Sequence, residues 1–129
     1  MSRMALTAQE LALRYLLELS TDIRAALLLD VDGKLVAAAP ESVGERMAVL
    51  AGELTGEAGE HFGADGEPVE VDAVCEGGVV FLIRSEEGSM VCVTTRSVLP
   101  GLIFYDMHAV LADLDRAAGA EARRVRVTE

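Results

Sequence analysis

Three stretches of the sequence are apolar at consecutive positions, and they constrain the fold more than any other feature. They are Ala25–Leu29, Val79–Ile83 and Met90–Val93. A strand with one face in water alternates apolar and polar residues, so uninterrupted apolar runs indicate strands that are covered on both faces. The sequence therefore predicts a sheet with helices on both faces, and 129 residues are enough for one such domain.

Turn residues separate the apolar segments and set their order. The stretch Asp30–Lys34 holds two aspartates and a glycine, and it joins the short apolar segments Ile23–Leu29 and Leu35–Ala39. This pattern predicts a β-hairpin. Gly77-Gly78 and Glu86-Glu87-Gly88 predict two further turns, so that three more strands follow in the second half of the chain.

The first of these three strands is predicted to lie at an edge of the sheet. Val69–Cys75 alternates apolar residues with residues that include Glu70 and Asp72, which is typical of a half-exposed strand. An exposed edge strand offers unpaired backbone groups to other chains, and Glu70, Asp72 and Glu76 protect it only in part. Pairing with a second copy of the chain would satisfy this edge.

The first predicted helix carries a capping box, Thr7-Ala8-Gln9-Glu10, and extends to about Ser20. Its charged residues are confined to one ridge, Glu10, Arg14 and Glu18. Nearly every other position is apolar, so we expect this helix to be covered on two sides.

The last predicted helix begins near Ser97 and Pro100. Apolar residues recur along it at helical spacing, as one stripe that faces the core. This stripe consists of Leu99, Ile103, Met107, Val110 and Leu114.

A third helix is predicted in the middle of the chain, from Ser42 to Phe62, and it contains four glycines. Each glycine costs a helix about 0.8–1 kcal/mol relative to alanine, so a close contact is expected to offset the cost. The small residues lie on one face of this helix, which we interpret as a surface for a partner. This face consists of Gly44, Ala48, Ala51, Gly52, Thr55 and Gly59. Alternatively, small residues fall together by chance, or the helix ends near Thr55.

Composition argues against several classes of function. The net charge is −11, and residues 1–115 hold 20 acidic and 7 basic side chains, which disfavours nucleic-acid binding. The longest stretch without a charge, Ser97–Tyr105, is far shorter than the roughly 20 residues that span a membrane. No signal peptide is visible, and two cysteines give no disulfide framework, so we expect a cytoplasmic protein.

Residues that could support catalysis are few. The chain has one lysine, Lys34, and lacks both the phosphate-binding GxxxxGK[ST] loop and the dinucleotide-binding GxGxxG motif. Its histidines, His61 and His108, are 47 positions apart, and neither lies near a cysteine at metal-ligand spacing. A cysteine nucleophile would need a contact with histidine that a sequence cannot show, and a buried structural cysteine is commoner. We therefore expect no catalytic residue, no metal and no cofactor.

The order of elements, with three particular segments, resembles the roadblock (dynein light chain) family, especially its small prokaryotic members. The segments are LLELSTDIRAALLLDVDGKLVAAAP, the glycine-rich central helix and LPGLIFYDMHAVLADL, and the resemblance covers about residues 7–116. It implies a profilin-like α+β fold in the order helix-strand-strand-helix-strand-strand-strand-helix, with a five-stranded, mainly antiparallel sheet. We expect one domain over residues 1–118 and a mildly basic, flexible tail over residues 119–129.

The resemblance also implies a function and a site. Members of the family form dimers through the central helix and the adjacent edge strand, and they bind or regulate small Ras-like GTPases. This chain is accordingly expected to be a non-enzymatic, homodimeric adaptor or scaffold for such a GTPase. Carried over by position, the dimer surface consists of Gly44, Ala48, Ala51, Gly52, Thr55, Val69, Val71, Ala73 and Cys75. A profilin-like sensor of small molecules, or another signalling interaction module, is the alternative.

Overall fold

The computed structural model describes residues 7–40, Met47, and residues 69–85 and 88–128. These residues form an α+β fold, as predicted, in which five antiparallel strands have the spatial order β2-β1-β5-β4-β3. The elements are α1 (Ala8–Leu19), β1 (Ile23–Leu29), β2 (Leu35–Ala39), β3 (Val69–Cys75), β4 (Gly78–Ser85), β5 (Gly88–Thr94) and α2 (Pro100–Thr128).

Two local signals in the sequence form the structures that they predict. The Thr7 hydroxyl accepts a hydrogen bond from the Glu10 amide at 3.1 Å, and the Glu10 carboxylate accepts one from the Thr7 amide at 2.9 Å. In the β1–β2 turn, Oδ1 of Asp30 accepts hydrogen bonds from the amides of Asp32 and Lys34, both at 2.9 Å. Gly33 has a φ of +85°, which a side chain would disfavour.

One face of the sheet packs against both helices. Along the central strands, alternate side chains enter this helix-side core, including Phe81 of β4 and Cys92 of β5. The ring of Phe81 meets that of Phe104 on α2 edge to face, with 5.1 Å between their centroids. The other buried members are Leu13, Leu16, Ile23, Ala26, Leu28, Ala37, Ala39, Val79, Ile83, Met90, Ile103, Met107 and Val110.

The intervening side chains form a second core on the opposite face of the sheet. This opposite-face cluster consists of Leu27, Leu29, Ala38, Leu82 and Val91, all of them buried. Strands β1, β4 and β5 are therefore covered on both faces, which confirms the interpretation of their continuous apolar runs.

Met47 is helical and packs against the opposite-face cluster, together with Val71 and Val80. Apart from Met47, the predicted central helix from Ser42 to Phe62 lies outside the described residues. Its length and its small-residue face therefore stay predictions, and so does the expectation of helices on both faces of the sheet.

Helix α2 begins at Pro100, as predicted, but one residue of the predicted stripe lies outside it. Leu99 precedes the helix and is 72% exposed, so its place in the buried stripe was wrong. Its carbonyl oxygen instead accepts hydrogen bonds from the amides of Leu102 and Ile103, at 3.0 and 3.2 Å. The buried stripe begins at Ile103 and continues through Met107 and Val110.

At its other end, α2 extends to Thr128 and includes residues 119–128, which were predicted to form a tail. The domain boundary at residue 118 and the flexibility of the tail stay predictions. None of the helices in the described part of the chain is long and apolar enough to span a membrane.

The prediction that α1 is covered on two sides was wrong. Leu13 and Leu16 are completely buried, but Leu11 and Tyr15 are more than half exposed, and Leu19 is 42% exposed. One side of α1 packs on the sheet, and the described residues leave its second apolar side in contact with solvent.

Candidate interaction site

The sheet has two edges, which differ in their suitability for pairing with another chain. Among the described strands, β2 and β3 each have one hydrogen-bonded neighbour. Strand β2 has five residues, and its register with β1 shifts by one residue at Val36. Strand β3 has seven residues in unbroken register with β4. Short strands and bulges discourage edge pairing, so β3 is the more suitable edge.

The turn between β3 and β4 determines which backbone groups of β3 face outward. Cys75 and Gly78 are partners across the two-residue loop Glu76-Gly77, so they form the hydrogen-bonded pair that closes the hairpin. Hydrogen-bonded and non-hydrogen-bonded pairs alternate along an antiparallel ladder. The backbone amides and carbonyls of Glu70, Asp72 and Val74 therefore point away from β4, toward the outer edge.

The predicted edge-strand residues Val69, Val71, Ala73 and Cys75 alternate with these outward-facing positions. Val71 is half-buried against the opposite-face cluster, so Val71, Ala73 and Cys75 lie on the same face of the sheet as Met47. Ala73 is half-buried and Cys75 is exposed.

The other half of the predicted dimer surface consists of Gly44, Ala48, Ala51, Gly52 and Thr55. All five lie outside the described residues. The structure therefore describes the strand residues of the predicted dimer surface, and the whole of that surface stays a prediction.

A side chain of helix α2 contacts the edge strand at a place that the sequence does not predict. Nε2 of His108 lies 2.6 Å from Oε2 of Glu70, and both side chains are a little under half exposed. The two residues are 38 positions apart and belong to different elements, so no local pattern could have paired them. The contact joins one carboxylate of β3 to the imidazole of His108 on α2.

A cleft of about 290 Å³ opens where the β1–β2 hairpin meets α1 and α2. Leu28, Met90, Leu111 and Leu114 provide apolar walls. Gln9, Asp30, Ser89 and Asp115 provide polar groups. The volume suits only a small ligand. No local sequence pattern predicts this cleft, because its walls come from five separate elements.

The described residues give little support for covalent or metal chemistry. Burial raises the pKa of the Cys92 thiol from 9.0 to about 12, and the Asp106 carboxylate adds to this shift. Because the thiolate is the nucleophilic form, Cys92 is unreactive near neutral pH. In the part of the chain that the structure describes, no three His, Cys, Asp or Glu side chains are grouped closely enough to hold a metal ion.

This state of Cys92 predicts the outcome of thiol labelling. In the Cys75→Ser variant, Cys92 is the sole thiol, and we expect no reaction with Ellman's reagent at pH 8 in the folded protein. One thiol per chain should react after unfolding in guanidinium chloride. As the control, the unsubstituted protein should show two reactive thiols per chain after unfolding. Rapid labelling of Cys92 in the folded variant would contradict its burial.

Comparison with known structures identifies the fold as that of Roadblock/LC7 domains. Two crystal structures of such domains, both from Streptomyces avermitilis, match this chain with TM-scores of 0.66 and 0.67. They share 17% and 18% of their residues with it, and each match covers 84% of this chain. The matches cover 99% and 96% of the respective Streptomyces chains. No protein-family model and no curated protein sequence matches the chain.

Proposed function

We propose that this protein is a non-enzymatic, homodimeric adaptor that binds and regulates a small Ras-like GTPase. The proposal rests mainly on the outer edge of β3. This edge strand pairs with β4 in regular register over seven residues, and it belongs to a Roadblock/LC7 fold. Two such edges pair by extending the sheet from one copy into the other, because every second residue offers a free amide and a free carbonyl.

Other features of the described residues support this arrangement. The seven-residue ladder with β4 holds the edge strand in place before any partner binds, which reduces the entropy lost on pairing. Val71 of β3 and Met47 both pack against the opposite-face cluster. The small face of the predicted central helix would complete the interface there. The two free cysteines are consistent with a cytoplasmic setting.

Binding to a GTPase is tested directly with the small Ras-like GTPases of the source organism. Each is loaded with GDP or with a non-hydrolysable GTP analogue, and its binding is followed by biolayer interferometry. We expect at least one GTPase to bind, with an affinity that differs between the two nucleotide states because its switch regions change. Failure of every such GTPase to bind in either state would contradict the proposal.

The cleft favours one other candidate function, that of a small-molecule sensor. Its apolar walls and four polar groups could hold a compact ligand. Native mass spectrometry of the purified protein would reveal a ligand as an added mass that denaturation removes. In this case Leu114→Trp, which fills the cleft, should abolish the added mass, while Leu102→Trp on the exposed side of α2 should not.

A further inference from the structure

The cleft between the β1–β2 hairpin and the two helices carries negative charge. Among the described residues that line it, the only ionisable side chains are those of Asp30 and Asp115. No lysine, arginine or histidine among these lining residues offsets the two carboxylates. Apolar walls concentrate the field of the charges in a concave site, so the cleft attracts cations and repels anions.

The two carboxylates differ in how far the protein itself uses them. Asp30 is half-buried, and its Oδ1 already accepts hydrogen bonds from two backbone amides of the turn. The Asp115 carboxylate is exposed and has no hydrogen-bond or ion-pair partner among the described residues. The adjacent Arg116 contacts Asp113 instead. Asp115 is therefore the carboxylate that is available to a ligand, and Asp30 adds its charge.

We propose that this cleft binds a small organic cation in which an ammonium group is attached to a compact apolar group. The ammonium group donates up to three hydrogen bonds, which suits the Asp115 carboxylate together with the side-chain oxygens of Gln9 and Ser89. The apolar group lies against the walls formed by Leu28 and Leu114. Hydrogen bonds between charged groups are stronger than neutral ones, so they offset the cost of removing the ammonium group from water.

Other classes of small ligand suit the cleft less well. A phosphate or another anion meets two like charges and no basic side chain among the described lining residues. A neutral, apolar ligand removes water from the carboxylates without replacing the lost hydrogen bonds, which is costly. None of the described lining residues is aromatic, so a planar nucleobase has no ring on which to stack.

This site is separate from the proposed dimer interface. The lining residues belong to α1, β1, β2, β5, α2 and the β1–β2 turn, and neither β3 nor β4 contributes one. The inference therefore does not depend on the dimer or on its GTPase. It rests instead on the alternative function of a sensor, which it narrows to one chemical class of ligand.

Three probes of similar size and different charge test the proposal, namely phenethylamine, phenethyl alcohol and phenylacetate. At neutral pH the first is cationic, the second is neutral and the third is anionic. Each is titrated into the full chain, and two-dimensional nuclear magnetic resonance spectra follow the backbone amides. We expect phenethylamine to shift the amides of Ser89 and Leu111 but not that of Val71 on β3. It should bind at least tenfold more tightly than either of the other probes.

Two matched substitutions on α2 locate the ammonium group. Asp115→Asn removes a carboxylate from the cleft and should weaken the binding of phenethylamine at least tenfold, whereas phenethyl alcohol should bind as before. Asp113→Asn removes the same charge two positions away, outside the cleft, and should leave both affinities unchanged. Both side chains are exposed, and unchanged thermal unfolding checks that each variant is folded.

Three results would overturn the proposal. In the first, phenethyl alcohol or phenylacetate binds as tightly as phenethylamine. In the second, Asp115→Asn keeps full affinity for the amine, or Asp113→Asn loses as much, which assigns the attraction to the net charge of −11 and not to the cleft. In the third, phenethylamine shifts no amide of the cleft. None of these results bears on the β3 edge, so the adaptor function stands or fails separately.

Discussion

Replacing Gly78 with alanine is expected to lower the free energy of unfolding by about 3 kcal/mol, the upper range for overpacking in a folded protein. An added Cβ at Gly78 would lie 2.0 Å from the backbone carbonyl oxygen of Thr94. This oxygen belongs to β5, whose backbone is held between β4 and β1, so it cannot move aside without breaking ladder hydrogen bonds. Urea denaturation followed by circular dichroism measures the change.

The neighbouring glycine provides the matched control. At Gly77, an added Cβ meets nothing within 4 Å, and the backbone is not in the left-handed region. Gly77→Ala should therefore leave stability unchanged or raise it slightly, since alanine restricts the unfolded chain. Equal losses of stability in the two variants would show that the close approach of Gly78 to β5 does not cause the loss.

Much of the sheet could be predicted because it depends on local chemistry. Continuous apolar runs identify strands covered on both faces, and β1, β4 and β5 are indeed the three inner strands. The alternation of apolar and acidic residues along Val69–Cys75 places this strand at the edge, since only an exposed face tolerates charged side chains. The capping box predicted the first turn of α1 correctly because all its groups lie within four residues.

Features that depend on contacts between distant elements could not be predicted in this way. The periodicity of α1 shows that it has two apolar sides, but it cannot show which one meets the sheet. The burial of Leu13 and the exposure of Tyr15 are therefore known only from the structure. The contact of Glu70 with His108 depends on how α2 crosses the sheet, and the sequence carries no signal for that angle. Similarly, nothing local indicates that β2 forms the second edge.

Asp72→Pro is expected to separate the proposed dimer into monomers. The amide of Asp72 points away from β4, so proline removes no hydrogen bond within the chain and is tolerated on this side of an edge strand. In a dimer paired through β3, the same substitution removes the hydrogen bonds that the residue-72 amides donate between the two subunits. It also places the proline ring in the interface. We expect the dissociation constant of the dimer to rise at least a hundredfold, measured by sedimentation equilibrium.

Asp72→Asn is the control for this substitution. An antiparallel pairing centred on residue 72 aligns all seven residues of β3 and places each Asp72 opposite its own copy. Like charges at opposed positions are destabilising, so asparagine should strengthen the dimer or leave it unchanged. A dimer of undiminished affinity in the proline variant would show that the subunits associate elsewhere.

Hydrogen exchange at the Asp72 amide, resolved by nuclear magnetic resonance, tests the central claim most directly. Val71 bonds to β4 within one chain, so its amide should be protected at every protein concentration. Pairing through β3 predicts that the Asp72 amide is also protected at high concentration and loses this protection when dilution dissociates the dimer. An Asp72 amide that exchanges as fast as in an unfolded peptide at high concentration, while Val71 stays protected, would contradict the account.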